Sequence, residues 1–387
     1  MDIEKYYKLI NEFKQTDIIQ DLANRKISHG SFGQVILGIT EDAIVKNKPE
    51  NKAIDFICNI FPEKCYIKKE QDIRNIKIIQ NEVNILKLLN NKNTLSEILF
   101  ENGYNNICKM YSNIDNVIYM EYYPITLYTI CNKKYSFTLN FYLTIFKQII
   151  QGMCYIHSLN ITHNDLKTEN ITINTENKML IVKIIDFGCA RLIKNNNPYI
   201  FLNGKIEINK TRCFSLNNVD PLLSHEEKYN LKNDVWSLAL IFIEMICGVK
   251  PIITIFGMEF FKEKVKKKII KIPEITESDN IDEIFESKYF DIFENNYDKI
   301  FELTLRDITN DYAIICYTKL ISNLKHLNID MQKIFYDSIK ILLEKNIPID
   351  YYYRFNIIDM ITRMLSLNID SRPTFFDCYR LIEGIIS

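Results

Sequence analysis

Glycine is scarce in this chain, with 10 among 387 residues, well under the usual ~7%. A glycine that falls at a motif position therefore counts for more than it would elsewhere. Paired cysteines are missing too: ten are scattered singly from Cys58 to Cys378 without a CxxC, and the five histidines form no ligand cluster with them. This excludes zinc-ribbon chemistry and leads us to expect reduced thiols in an intracellular protein. Charge of one sign is not in excess, because 48 Lys and Arg face 49 Asp and Glu for a net charge of −1. No global field then favours nucleic acid or an anionic membrane, and any anion site must be local. Long apolar runs are lacking. The longest, VWSLALIFIEMICGV from Val235, is broken by Ser237 and Glu244 and falls short of the ~20 residues of a membrane-spanning helix. It reads as a buried core helix. The opening MDIEKYYKLI carries acidic residues where a secretory leader would be basic and then apolar, so none is expected.

What is abundant is core material, 47% hydrophobic and 12% aromatic, sufficient for one large bilobal unit or two domains. Asn, Ile and Lys crowd the whole chain, as in NNKN at 90–93 and NNN at 195–197, and matches at those types are discounted. The first residues read as a polar amphipathic arm over 1–26. QVILGIT and DAIVK are apolar, β-branched and separated by Glu-Asp, a hairpin pattern. A long polar connector with Pro49 and Pro62 reads as an insert over about 47–72. IKIIQNEVNILKLLN has helical periodicity with Glu82 near its middle. VIYMEYYP is a short strand, FYLTIFKQIIQGMCYIHSLN a helix, and NITIN and LIVKIID are strands. Helices are expected to dominate the rest, including a helical insert over about 262–349 with the basic run KEKVKKKIIK. The order implies an α+β, bilobal fold, with a β-rich lobe over 27–122 carrying one long helix and a mainly helical lobe over 123–387.

Four stretches carry chemistry. In ISHGSFGQV, Ile27 to Val35, Gly30 and Gly33 flank Ser31 and Phe32, and a turn there brings backbone amides over phosphates where a Cβ would obstruct. Lys46 ends the second strand pattern and needs a carboxylate if it points inward, for which Glu82 is the candidate. In HNDLKTEN, Asp165 can accept the proton of an attacking hydroxyl, Lys167 can neutralise phosphoryl charge, and Asn170 can offer an oxygen to a metal. Asp186 in DFG is a carboxylate on a tight turn, suited to a hard divalent cation.

With these stretches in this order, the chain from about Ile27 to Ile382 resembles the eukaryotic protein kinase family. The glycine-loop pattern falls on Ser28, Gly30, Gly33 and Val35, the strand lysine motif on AIVK ending at Lys46, the catalytic loop on His163 to Asn170, and the metal turn on Asp186 to Gly188. DVWSLAL from Asp234 and DSRP from Asp370 resemble two further family signatures. The resemblance implies Ser/Thr protein phosphorylation with ATP and Mg2+, or Mn2+ in its place. Catalysis would rest on Asp165 and Lys167, and the metal on Asn170 and Asp186. Nucleotide binding would fall to Ile27, Ser28, His29, Gly30, Ser31, Phe32, Gly33, Gln34 and Val35, with Lys46 and Glu82. Met120 would be the gatekeeper, and Glu121 and Tyr122 the adenine-binding hinge. The implied partners are protein substrates; the charge balance points to no nucleic acid and no membrane. The 262–349 helices, longer than the family core requires, leave room for a partner, although their basic run reads first as a solvated face. The implied place is the cytoplasm, of a host cell if the AT-rich composition is that of a large DNA virus.

Three departures carry expectations of their own. Ser28 replaces the first glycine. The family's A-P-E reduces to DPL at Asp220, so Arg372 is expected to find Asp220 or Glu226 instead, since a buried arginine without a carboxylate is expensive. Asn164 replaces the arginine that pairs with a phosphorylated loop residue, so activity should not require phosphate on Thr211 or Ser215. Retention of Lys46, Glu82, Asp165, Asn170 and Asp186 favours a live enzyme over a pseudokinase scaffold. Lys167, DFG and DVWSL argue against a small-molecule kinase.

Overall fold

β-branched and aromatic residues in short alternating runs build the first part of the molecule. The structure, a computed structural model, describes residues 25–30, 33–39, 65–71, 76–91, 102–114, 117–123, 125–132, 137–176, 179–210, 213–215, 218, 220, 223, 229–248, 329–348 and 352–386. Strands β1 (Arg25–Gly30), β2 (Gly33–Ile39), β3 (Cys65–Gln71), β4 (Met110–Ile114) and β5 (Val117–Glu121) form an antiparallel sheet in the order β1-β2-β3-β5-β4. The turn between β1 and β2 is the glycine stretch, with Gly30 opposite Gly33. Helix α1 (Ile76–Leu89) follows β3 and buries Ile79, Val83, Ile85, Leu86 and Leu89 on its apolar face.

The fold is α+β as expected, with one boundary corrected. The segment expected to be an insert up to about residue 72 contains β3, which lies between β2 and β5 with Ile67 opposite both Leu37 and Met120. Any insert therefore ends before Cys65. The amphipathic arm, the DAIVK strand, Lys46, Ser31, Phe32, Thr211 and most of 262–349 lie outside the described residues.

Further along come β6 (Ile125–Thr126), α2 (Leu127–Asn132) and α3 (Leu139–Ser158), then β7 (Ile161–Thr162), β8 (Ile171–Glu176) and β9 (Met179–Ile184). Helix α3 starts at a Thr138 cap whose side chain accepts from the Phe141 N–H, satisfying one of the helix's open donors. Gly152 lets α3 lie close to β9: a Cβ there would sit 2.8 Å from Ile184 Cδ1.

Helices dominate after this point as expected, but three strands that the sequence reading did not place come first. β10 (Arg191–Lys194), β11 (Asn197–Leu202) and β12 (Lys205–Ile208) form an antiparallel sheet with β7, in the order β12-β11-β10-β7. Both connections are two-residue turns, Asn195–Asn196 with φ 49° and 57°, and Asn203–Gly204 with φ 49° and 74°. Positive φ at both central residues is the hairpin geometry that Asn and Gly favour. Cys189 and Cys213 are joined by a disulfide, which corrects the expectation of reduced thiols throughout. Cysteine spacing could not reveal it, because the strands in between bring the two residues together.

The remaining helices are α4 (Asn233–Cys247), α5 (Ile329–Asn346), α6 (Arg354–Met364) and α7 (Phe375–Ile386). The chain divides into two compact units, residues 1–213 with 229–231 and 374–387, and residues 214–228 with 232–373. In the first, α7 packs on α3. In the second, α4 is buried on all sides from Asn233 to Met245 and contacts both α5 and α6, as a core helix does. Among the described residues no helix is long and apolar enough to cross a membrane. Phe335, Ile339 and Leu343 of α5 are buried, so the last helix of the expected 262–349 insert is part of this core. Arg372 is fully buried and binds Asp220 through both terminal nitrogens, one contact at 2.9 Å. Its Nε donates to the Ser366 carbonyl at 2.7 Å and its plane lies over Trp236. Asp220 is thus the carboxylate that the DPL sequence supplies.

Candidate active site

Two strand ladders hold two short segments face to face. At one end Arg191 and Leu192 of β10 pair with Thr162 and Ile161 of β7; at the other Ile171 of β8 pairs with Ile184 of β9. Between these ladders run residues 163–170 and 185–190, which hold the HNDLKTEN and DFG sequences. Side chains tie the segments along their length. The Asp165 backbone N–H donates to His163 Nδ1 at 3.3 Å, which leaves the proton on Nε2 to be donated to the Ile185 carbonyl at 3.0 Å. The Ile185 N–H donates to the Asn170 carbonyl at 3.0 Å. Asn164 Nδ2 donates to the Cys189 carbonyl at 3.1 Å.

Asn164 sits at φ 63° and Asp186 at φ 64°. Asn and Asp tolerate the left-handed region better than most residues. The residue that stands out in the sequence thus has a local reason to be asparagine. It joins the two segments through a neutral hydrogen bond.

Asp165 is nearly buried and its carboxylate is held from two sides. Lys167 Nζ lies 2.7 Å from Oδ2 and Asn170 Nδ2 3.1 Å from the same oxygen, while Nδ2 also donates to the Asp165 carbonyl at 2.8 Å. These bonds use the amide nitrogen of Asn170 and leave its Oδ1 as the atom to offer a cation.

A second cluster forms where β3 and α1 meet the DFG turn. Lys69 Nζ lies 2.7 and 2.9 Å from the two carboxylate oxygens of Glu82 and 2.7 Å from Asp186 Oδ1. Glu82 is completely buried, and a buried carboxylate of this kind is tolerable only with such a partner. Burial works against the Lys69 ammonium, but Asp186 and Glu82 together outweigh it and hold its pKa above the ordinary lysine value. For Asp186, burial favours the neutral acid, and the Lys69 charge overrides it to hold the carboxyl below its ordinary value.

The lysine paired with Glu82 is therefore Lys69, where the sequence reading expected Lys46. The apolar tetrapeptide AIVK resembles the family motif better than YIKK does, and the abundance of Ile and Lys made such a resemblance cheap. A usable signal was present. Tyr66 and Lys68 alternate with Ile67 and Lys69, which puts Lys69 on the face of β3 opposite to Lys68.

Of the other expected residues, Gly30 and Gly33 close the β1–β2 turn, and Ser28 is a ladder residue opposite Val35, beside a register shift that follows Lys26. Glycine is not demanded by such a position. Met120 is buried, while Glu121 and Tyr122 are half-buried at the end of β5. The Glu121 N–H donates to the Lys109 carbonyl at 2.9 Å, and its carboxylate accepts from the Lys109 N–H at 2.9 Å.

Comparison with known proteins agrees with this layout. The family profile described as protein kinase domain matches residues 23–381. The chain belongs to the protein kinase family. A probable myosin light chain kinase of Dictyostelium discoideum is 26% identical to this kinase domain over 216 residues, 56% of the chain and 55% of that protein. The chain thus spans about half the length of the curated relative it matches.

The donor set of the kinase domain fits a hard divalent cation, because Asn170 Oδ1 and Asp186 Oδ2 are oxygens on neighbouring segments. Among the described residues no group of three or more His, Cys, Asp or Glu could hold a metal alone. A cation at this site would complete its shell with water and nucleotide oxygens, the habit of Mg2+.

Proposed function

We propose that the chain is an active protein kinase that transfers the γ-phosphate of ATP, with Mg2+ or Mn2+, to serine or threonine hydroxyls of protein substrates. The observation that carries this reading is the simultaneous assembly of Lys69–Glu82–Asp186 and Asp165–Lys167–Asn170 within one unit. A scaffold that only binds has no need of a buried glutamate held by a lysine, nor of a carboxylate oriented by two donors.

Each residue has a role that its contacts support. Asp165, fixed by Asn170, orients the acceptor hydroxyl and takes its proton. Lys167, already beside Asp165, neutralises charge that builds on the transferred group. Lys69, kept protonated and aimed by Glu82, steadies nucleotide phosphates, and the Gly30–Gly33 turn covers them with backbone amides. A divalent cation held by Asn170 and Asp186 would neutralise phosphate charge. Met120, Glu121 and Tyr122 line the adenine end. The Ser/Thr preference rests on resemblance at Lys167.

Asn164 supports independence from loop phosphorylation, since its amide already ties the catalytic loop to Cys189. The test is incubation with γ-labelled ATP and generic protein substrates beside an Asp165→Asn control, followed by phosphoamino acid analysis. Label on serine and threonine that survives phosphatase pretreatment of the enzyme is expected. Transfer no higher than the control with either metal would favour a scaffold, and label on tyrosine alone would overturn the acceptor class.

A further inference from the structure

Beside Glu82 on α1 stands Asn81, a polar side chain only 1% exposed. Both ends of its amide are used. Nδ2 donates to the carbonyl of Ala190 at 2.8 Å, two residues beyond the DFG glycine, and Oδ1 accepts the backbone N–H of Phe201 in β11 at 3.0 Å. One residue earlier, Gln80 Oε1 accepts the Asn203 N–H at the tip of the β11–β12 hairpin, at 3.2 Å. The helix that carries Glu82 is therefore fastened to the segment after DFG by three hydrogen bonds from two adjacent residues, Gln80 and Asn81, all to backbone atoms.

We propose that Asn81 is a positioning residue that fixes the rotation of α1 against β11 and so holds Glu82 on Lys69. The inference rests on the reading of the site as an active kinase and adds how the site is kept assembled without phosphate. Geometry carries it. Glu82 is the residue next to Asn81, so a rotation of α1 that withdraws the carboxylate from Lys69 also pulls the amide away from Ala190 and Phe201. The half-buried Phe201 N–H would then lose the Asn81 oxygen, and the buried Ala190 carbonyl would keep only the Arg191 guanidinium nitrogen that also donates to it, at 2.9 Å, which is costly. Strand β11 is itself braced, through its two-residue turns and the β10–β7 ladder, so it offers a rigid partner. Because the tether uses neutral amide bonds, it is insensitive to phosphatase and only weakly sensitive to salt.

The test uses the full chain and the variants Asn81→Leu and Asn81→Asp, each alone and with Glu82→Gln. Asn81→Leu removes donor and acceptor; Asn81→Asp keeps the acceptor and loses the donor. Steady-state phosphotransfer should show kcat reduced about tenfold or more by Asn81→Leu, and less by Asn81→Asp, with KM for ATP within about threefold. In the Glu82→Gln background the same substitutions should cost less than about twofold, because the residue they act through is already gone. Equal losses in both backgrounds, or an unchanged kcat, would overturn the proposal and leave Asn81 a structural residue only. Amide hydrogen exchange gives a readout without activity: residues 76–89 and the Phe201 amide should exchange faster in Asn81→Leu than in the wild type, while residues 139–158 should not. Unchanged exchange at Phe201 also overturns it. Absence of phosphotransfer in the wild type would instead defeat the kinase reading, with the tether still decided by exchange.

Discussion

At the scale of single residues, the distinction between Lys46 and Lys69 has the largest chemical consequence. Lys69 is the cation between two acids, and Lys69→Met should reduce phosphotransfer by about 100-fold or more. Lys46→Met should change it by less than about twofold, since another lysine already serves Glu82. A side-by-side kinase assay of the two variants decides between them. Stability should respond as well. Removing one partner of a buried pair leaves an uncompensated charge at a cost of about 3–5 kcal/mol near neutral pH.

The signs with pH are fixed by the two shifts. Asp186, whose folded pKa is depressed, contributes stability present above its unfolded value and lost as pH falls through the folded one. Lys69, whose folded pKa is raised, contributes stability present below its unfolded value and lost as pH rises through the folded one. From this cluster the wild type should therefore be level between about pH 5 and about pH 9. Lys69→Met should behave differently: its stranded carboxylates favour protonation, so its deficit relative to wild type should shrink between pH 8 and pH 5. Thermal melts across that range measure it, and an unchanged deficit would argue against the buried pair.

At the scale of elements, the three strands after DFG are the least expected feature and the most easily tested. Gly204 has φ 74° and open space where a Cβ would be, so backbone conformation is its only constraint. Gly204→Val should therefore cost about 1–2 kcal/mol locally, visible as faster amide exchange in Asn197–Leu202 and Lys205–Ile208 while Leu139–Ser158 is unaffected. The Cys189–Cys213 bond spans 24 residues, a loop for which chain entropy predicts roughly 3–4 kcal/mol of stabilisation. Peptide mapping without reductant should recover the cross-linked pair. Dithiothreitol and Cys213→Ser should lower the melting temperature by similar amounts, and recovery of both cysteines as free thiols would contradict the bond.

At the scale of the whole molecule, the second unit is organised around a buried charge. Arg372 and Asp220 have no exposed side-chain surface, Asn233 donates to the same aspartate, and Trp236 lies under the guanidinium with Phe335 stacked at 6.1 Å. Asp220→Asn keeps the shape but leaves the guanidinium without its charge partner, and should destabilise by about 3–5 kcal/mol. The chain has one tryptophan, so fluorescence-detected urea unfolding of this variant reports on this core directly. A midpoint equal to that of the wild type would mean that another carboxylate, such as Glu226, takes over.

Much of this was legible in the sequence. Helical periodicity located α1 and α3, because each buries a regular face and burial imposes the period. A near-continuous apolar run located α4, which is buried on all sides, and short apolar, β-branched runs located β2, β5, β8 and β9. The HNDLKTEN and DFG segments were readable because their residues lie within a few positions of one another. What failed was non-local or masked by composition. NNN at 195–197 looks like the Asn-rich background of the chain although Asn195 and Asn196 form a hairpin turn, and Asn203–Gly204 is a local hairpin signal within a region whose composition otherwise points to helix.

The sequence by itself determined the protein kinase family, the selection of Glu82, Asp165, Lys167, Asn170 and Asp186 as candidates, and the neutrality of position 164, since these depend on residue type and short spacing. Only the tertiary structure decided which lysine meets Glu82, which carboxylate meets Arg372, which cysteines meet, and that Asn81 reaches both Ala190 and Phe201. Each of those is a choice among several chemically equivalent candidates. Side-chain chemistry cannot rank them, and the pairing is settled by strand register and by which backbone segments the fold brings within hydrogen-bond distance.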